Sequence, residues 1–271
     1  MTTPTKVVKS PKGGVLVFVP VTINSTTFLF IVDTGATNTI VDAAVADSLS
    51  LPPSGKAVAG RAIGCINASQ PVKVTKWSIG GEALPSAVLL STKTELSGKK
   101  VGGTLIGGLL GSDIYSVFGS VTLDFTKQTL SLGSKAVGTR SFPIEVTARV
   151  GGARAVAMAT VHGVKTQLVV DTGSFISEVD SGLAASAHLK KVGSTITLGT
   201  VSCKVTAHPV TLDKVVVGAI TMPTVTGTST RNEAPAAASE DPINGLLGAD
   251  VLSTFGTVTV DYKNMKVTLG G

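Results

Sequence analysis

Asp33 and Asp171 are the residues of this 271-residue chain whose types and spacing most plainly offer chemistry. Each ends a run of strand formers, "TFLFIV" and "TQLVV", and each is followed by Thr-Gly, as Thr34-Gly35 and Thr172-Gly173. A carboxylate at the end of a buried strand is costly unless its charge is stabilised or neutralised. A second carboxyl brought to within about 3 Å answers that cost, because two such groups cannot both ionise and therefore share a proton. A pair of this kind holds an acid and a base at one point, which is what general acid–base chemistry requires. Its titration belongs to the pair and to neither residue alone.

Two acids 138 positions apart meet only if the chain brings them together, and internal repetition supplies the means. "GLLGSD" from Gly108 recurs as "GLLGAD" from Gly245, and "FGSVTLDFTKQTLSLG" from Phe118 recurs as "FGTVTVDYKNMKVTLG" from Phe255. Cys65 and Cys203 keep the same interval. Landmarks in one order and nearly constant register mark a duplicated unit. The join falls near "GTRSFPIEV", which gives two lobes, 1–138 and 139–271. In each, an opening strand ("GVLVFVPVTI", "ARAVAMATV") leads through a polar turn into the strand that carries Asp-Thr-Gly. Short helix-like runs follow, "DAAVADSL" and "DSGLAASAHL", with an acid at the start of each as an N-terminal signal. Asp113 and Asp250 read as N-caps of a single helical turn, and Asp124 and Asp261 as surface turn residues of the closing hairpins. The pattern predicts a mainly β protein of two pseudo-symmetric lobes, with one or two short helices in each.

Composition agrees and excludes several alternatives. Only 15% of residues are charged, and the net charge of +6 comes from basic residues scattered singly, with no Arg-rich helix or aromatic-interleaved stripe, so nucleic acid is not an expected partner. No apolar run approaches the roughly 18 residues a spanning helix needs, and "MTTPTKVVKSPKGG" lacks the apolar core of a signal peptide. The compartment stays open, an extracytoplasmic one being favoured where a leader has been removed. His162, His188 and His208 have no ligand spacing, and Cys203 with His208 lacks a second pair, so neither metal nor cofactor is expected. "GGTLIGGLLGSD" is not followed by Lys-Ser or Lys-Thr and is no phosphate loop. Trp77 is expected to pack at a hairpin base, and residues 226–242 to form a polar loop interrupting the second lobe alone.

A single Asp-Thr-Gly could be an ordinary turn. The paired tripeptides with paired Gly-Leu-Leu-Gly segments some 70 residues later resemble the aspartic protease superfamily over nearly the whole chain. The two units resemble the bilobal pepsin arrangement, while each lobe is short, like a retropepsin subunit or the bacterial retropepsin-like proteases. The resemblance implies two retropepsin-like closed-barrel lobes and a monomer acting as an intramolecular pseudo-dimer. It implies an aspartic endopeptidase in which Asp33 and Asp171 activate a water to hydrolyse a peptide bond, with bulky hydrophobic residues preferred on both sides of it. Thr34, Gly35 and Ala36 with Thr172, Gly173 and Ser174 would support the two acids. The threonines would grip across the axis, and the Ser174 hydroxyl would donate to its acid where Ala36 has none to give, so Ala36→Ser is expected to move the optimum to lower pH.

By the same resemblance, hairpins spanning Ala57–Thr75 and Thr195–Pro209 would cover the cleft, with Ile63, Gly64, Cys65, Val201, Ser202 and Cys203 as flap candidates. Neither hairpin contains the tyrosine usual in a pepsin-like flap. Cys65–Cys203 is the candidate disulfide should the tips meet near the axis, latching the cleft. Two separate buried thiols is the expectation otherwise. The alternative to an enzyme is a peptide-binding or scaffold protein that keeps the fold with little turnover.

Overall fold

The computed structural model describes every residue except 12, 63–64, 149–150, 231–242 and 271, and only the backbone of 60–62 and 65–66. The two Asp-Thr-Gly strands, Thr26–Val32 and Val164–Val170, are central in their sheets. Each pairs antiparallel with the strand before it, Val15–Ile23 or Ala153–Val161, through a two-residue turn. Asn24 and Ser25 have φ of 47° and 71°, as do His162 and Gly163 at 49° and 80°, the double positive φ of a tight hairpin turn. On its other side each motif strand pairs in parallel with the Gly-Leu-Leu strand, Thr104–Leu110 or Gly245–Leu247. That strand in turn lies antiparallel to the short strand following the tripeptide, Ile40–Asp42 or Glu178–Asp180. Among the described residues, these strands belong to an eleven-stranded sheet in the first lobe and a ten-stranded sheet in the second, with matching topology.

A third, six-stranded antiparallel sheet joins the lobes, in the order Thr2–Pro4, Thr129–Leu132, Ser120–Asp124, Thr257–Asp261, Lys266–Leu269, Arg140–Pro143. Its central pair comes from the closing hairpins of both units, with Thr122 opposite Thr259 and their hydroxyls 2.9 Å apart. Val121, Leu123, Val258 and Val260 are buried, and they belong to one large core cluster that draws on both lobes. A separate small cluster of Phe18, Leu29, Ile31, Ile106 and Leu109 lies on the opposite face of the first motif strand.

The helices are short, as expected. Ala43–Ser48 is capped by Asp42, which accepts from the Ala44 N–H, and Ser181–Ser186 by Asp180, which accepts from the Leu183 N–H. The capping reading of Asp113 and Asp250 does not hold. Gly111 and Gly248 are the N-caps of Ser112–Tyr115 and Ala249–Leu252, and neither gives a side-chain cap. Asp113 accepts from the N–H and hydroxyl of Thr39 at 2.9 and 2.7 Å, and Asp250 does the same with Ser177. These partners lie over 70 residues upstream, beyond the reach of a local sequence signal. Asp124 holds its turn through the N–H groups of Thr126 and Lys127. Asp261 does so through Asn264, but it is buried rather than superficial. Trp77 is buried and donates to the Pro85 carbonyl. No helix among the described residues is long and apolar enough to cross a membrane.

Candidate active site

The two tripeptides meet where the lobes join. Thr34 and Thr172 are buried and exchange bonds in both directions: the Thr34 N–H donates to Thr172 Oγ1 at 3.2 Å, and the Thr172 N–H to Thr34 Oγ1 at 3.0 Å. Each hydroxyl then donates onward, Thr34 to the Val170 carbonyl and Thr172 to the Val32 carbonyl, both at 2.7 Å. The grip sets the acids face to face. Asp33 Oδ1 accepts from the N–H groups of Gly35 and Ala36 at 3.0 and 2.8 Å, and Asp171 Oδ1 from those of Gly173 and Ser174 at 2.9 and 3.0 Å. The two carboxyl groups face one another closely enough to interact, and each lies against the glycine of the opposite loop. A Cβ at Gly35 would overlap the Asp171 carboxyl, and one at Gly173 the Asp33 carboxyl, so glycine is required by the close approach.

Burial, with only 8% of each residue exposed, pushes both acids above the ordinary carboxylate range. The charge of Asp171 raises Asp33 further, while the backbone N–H donors pull both the other way. One proton shared between two oxygens, with N–H groups stabilising the remaining charge, satisfies all of these contacts. The Gly-Leu-Leu strands are buttresses: Leu110 and Leu247 accept from the N–H groups of Asp33 and Asp171. Tyr115, fully buried beneath, donates to the same Leu110 carbonyl. Ser112 and Ala249 fasten the loops through the carbonyls of Ala36 and Ser174.

Ser174 departs from the role expected of it. Its hydroxyl donates to the Ile176 carbonyl at 2.8 Å, and only its N–H serves Asp171. The serine closes its own turn, so the two loops present equivalent donor sets despite Ala36. Glu178, which motif reading passes over, is buried close enough to Asp171 for the charge of that residue to raise it. The signal for it was a mismatch in the repeat, where Glu178 stands opposite Ile40.

Of the flap candidates, Ile63 and Gly64 lie outside the described residues, as does the side chain of Cys65, whose backbone opens the strand Cys65–Val74. Val201, Ser202 and Cys203 form the bend between Ile196–Gly199 and Lys204–Leu212. This bend reaches the first lobe: the Glu95 N–H donates to the Val201 carbonyl at 3.0 Å, and the Val201 side chain packs on the small apolar cluster. Lys204 Nζ lies 3.8 Å from Glu95 Oε2. Cys203 is disulfide-bonded, which corrects the expectation of two separate thiols. Among the described residues no group of His, Cys, Asp and Glu could hold a metal ion.

Residues 19–114 and 157–251 each match the family profile described as aspartyl protease, one match per repeat. The fold is similar to that of the aspartic proteinase from Irpex lacteus, with a TM-score of 0.57 over 100% of this chain and 96% of that one, at 12% identity. No curated protein matches the chain in sequence. With both matched segments together spanning most of its length, the chain belongs to the aspartyl protease family.

Proposed function

We propose that the chain is an aspartic endopeptidase whose dyad, Asp33 and Asp171, is completed within one polypeptide of two lobes, 1–138 and 139–271. One observation carries this reading: two buried carboxyls from duplicated loops face one another, and each is held by two backbone N–H groups. A pair with one proton can take a proton from water with one member and give a proton to the scissile carbonyl oxygen with the other. The resulting tetrahedral gem-diol forms without a covalent bond to the protein. Its collapse returns a proton to the leaving amine and restores the dyad. The Val201 bend, whose carbonyl accepts from the Glu95 N–H of the first lobe, is the proposed cover for an extended peptide, whose backbone would bond in the manner of an added strand.

Peptide cleavage measured between about pH 3 and 7 tests the reading. The parent should cut, and Asp33→Asn and Asp171→Asn should each slow cutting by roughly 10²-fold or more while leaving the fold intact. Tight binding of a hydroxyl-bearing mimic of the tetrahedral state, without turnover of any peptide, would favour the peptide-binding alternative.

A further inference from the structure

The halves of the cleft differ in chemistry. On the first lobe, Ile31 lies in register with Leu109, and Leu109 faces Ile40 on the next strand. Residues directly opposed across strands share a face. This face is apolar: Ile31 and Leu109 cluster with Phe18, Leu29 and Ile106, and Ile40, Ala36 and Val201 pack against them. Ala36 is the residue whose N–H holds Asp33, so the face runs up to the dyad.

The second lobe repeats the registers with different side chains. Val169 lies opposite Leu246, and Leu246 opposite Glu178. Glu178 therefore stands where the first lobe has Ile40, and Gln167 where it has Leu29. Glu178 is only 8% exposed. Oε1 accepts one bond, from the Thr230 hydroxyl at 2.6 Å. Among the described residues no cation pairs with it, and Oε2, which makes no hydrogen bond, is not sealed from solvent. Arg154, at the position of Leu16 in the repeat, has an interaction of its own.

We infer that Glu178 is a specificity-determining residue, receiving a lysine or arginine side chain of the substrate on one side of the scissile bond while the apolar face of the first lobe takes a hydrophobic side chain on the other. The inference rests on the protease reading. A peptide crossing a pseudo-twofold axis gives one side to each lobe, so unlike faces select unlike side chains. An apolar side chain laid beside the free oxygen would strip its remaining solvation, whereas a cation forms a charge-assisted bond with it. An acidic side chain meets like charge and is rejected. The inference departs from the expectation of hydrophobic residues on both sides, which was drawn from family resemblance.

The test is mass-spectrometric profiling of cleavage in a peptide library randomised on both sides of the scissile bond. The parent should enrich Lys and Arg at one position on one side and apolar residues on the other. Glu178→Gln keeps the shape of the side chain, and Glu178→Ile installs the first-lobe residue. Each should lower the basic-to-apolar ratio of kcat/KM at that position by about tenfold or more, leaving the profile of the other side unmoved. A parent that cuts without basic enrichment, or an enrichment that both variants keep, overturns the inference alone. A parent that neither cuts nor binds the hydroxyl-bearing mimic overturns the protease reading and this inference with it.

Discussion

Thr34 and Thr172 each place a hydroxyl between an N–H and a carbonyl of the opposite lobe, so four buried backbone groups depend on two side chains. Removing one hydroxyl orphans one donor and one acceptor. Thr34→Ala is expected to lower stability by about 2–4 kcal/mol, and Thr34→Ser, which keeps the hydroxyl, by much less. Chemical denaturation of the two variants checks this; equal losses would show that the methyl group, not the hydrogen bonds, matters.

Proton linkage gives the second prediction. Asp33 and Asp171 titrate above their ordinary value of 3.8 because they are buried together. Between that value and the dyad's own, the folded protein holds protons that the unfolded chain has lost. Stability from the dyad is therefore full in acid and declines as pH rises from about 4 through the folded value. Asp113, Glu178 and Asp250, also raised by burial, add to the same trend. Asp33→Asn should flatten part of the decline and cut kcat by roughly 10²–10⁴-fold. Denaturation midpoints at pH 4 and pH 7 read the first effect; parallel slopes for parent and variant would refute it.

Ala36→Ser is expected to leave the pH optimum where it is. The matching hydroxyl of Ser174 turns to the Ile176 carbonyl and away from Asp171, so a serine at 36 has the Asn38 carbonyl as its equivalent partner. Profiles of kcat/KM for Ala36→Ser and Ser174→Ala should superimpose on the parent. An acid shift in Ala36→Ser would show that the new hydroxyl reaches the carboxylate instead.

Gly35→Ala puts a methyl group into the Asp171 carboxyl and must spread the dyad. Activity is expected to fall by about 10²-fold or more, as misplacement of reacting groups on the ångström scale does. Far-UV circular dichroism should stay close to that of the parent. Near-parental activity would mean that the loops move apart without harm to the chemistry.

Thiol titration of the unfolded, unreduced protein should find no free thiol, and reductant should release two. We propose Cys65 as the partner of Cys203, being the other cysteine of the chain. A non-reducing gel should then show a monomer, and a disulfide-linked dimer would contradict that pairing.

Much of this protein is legible in its sequence because duplication checks each motif against a second copy. The strand-ending acids, the helix-capping Asp42 and Asp180, and the short helices follow from local pattern. What was not legible depends on partners distant in sequence. Asp113 and Asp250 precede an apolar turn as capping residues do, yet they bind Thr39 and Ser177 through loops that only the tertiary fold brings near. The direction of the Ser174 hydroxyl is a choice between two nearby acceptors that composition does not decide. Glu178 was hidden for another reason. Agreement between the repeats marks what is kept, while the chemistry of this position lies in what differs.

The sheet shared by both closing hairpins also bears on how such a chain could be taken apart. A gene divided at the join would yield two polypeptides, each with a raw hairpin flank that normally lies against its sibling, Ser120–Asp124 on one and Thr257–Asp261 on the other. Such flanks are adhesive, and co-expressed pieces would dock on one another by completing the missing ladder. Tethering turns that encounter into an internal event at an effective concentration on the order of millimolar. Covalent continuity thus lets the two sequences drift apart, because neither has to recognise a copy of itself, and an acid can settle on one side of the cleft without appearing on the other.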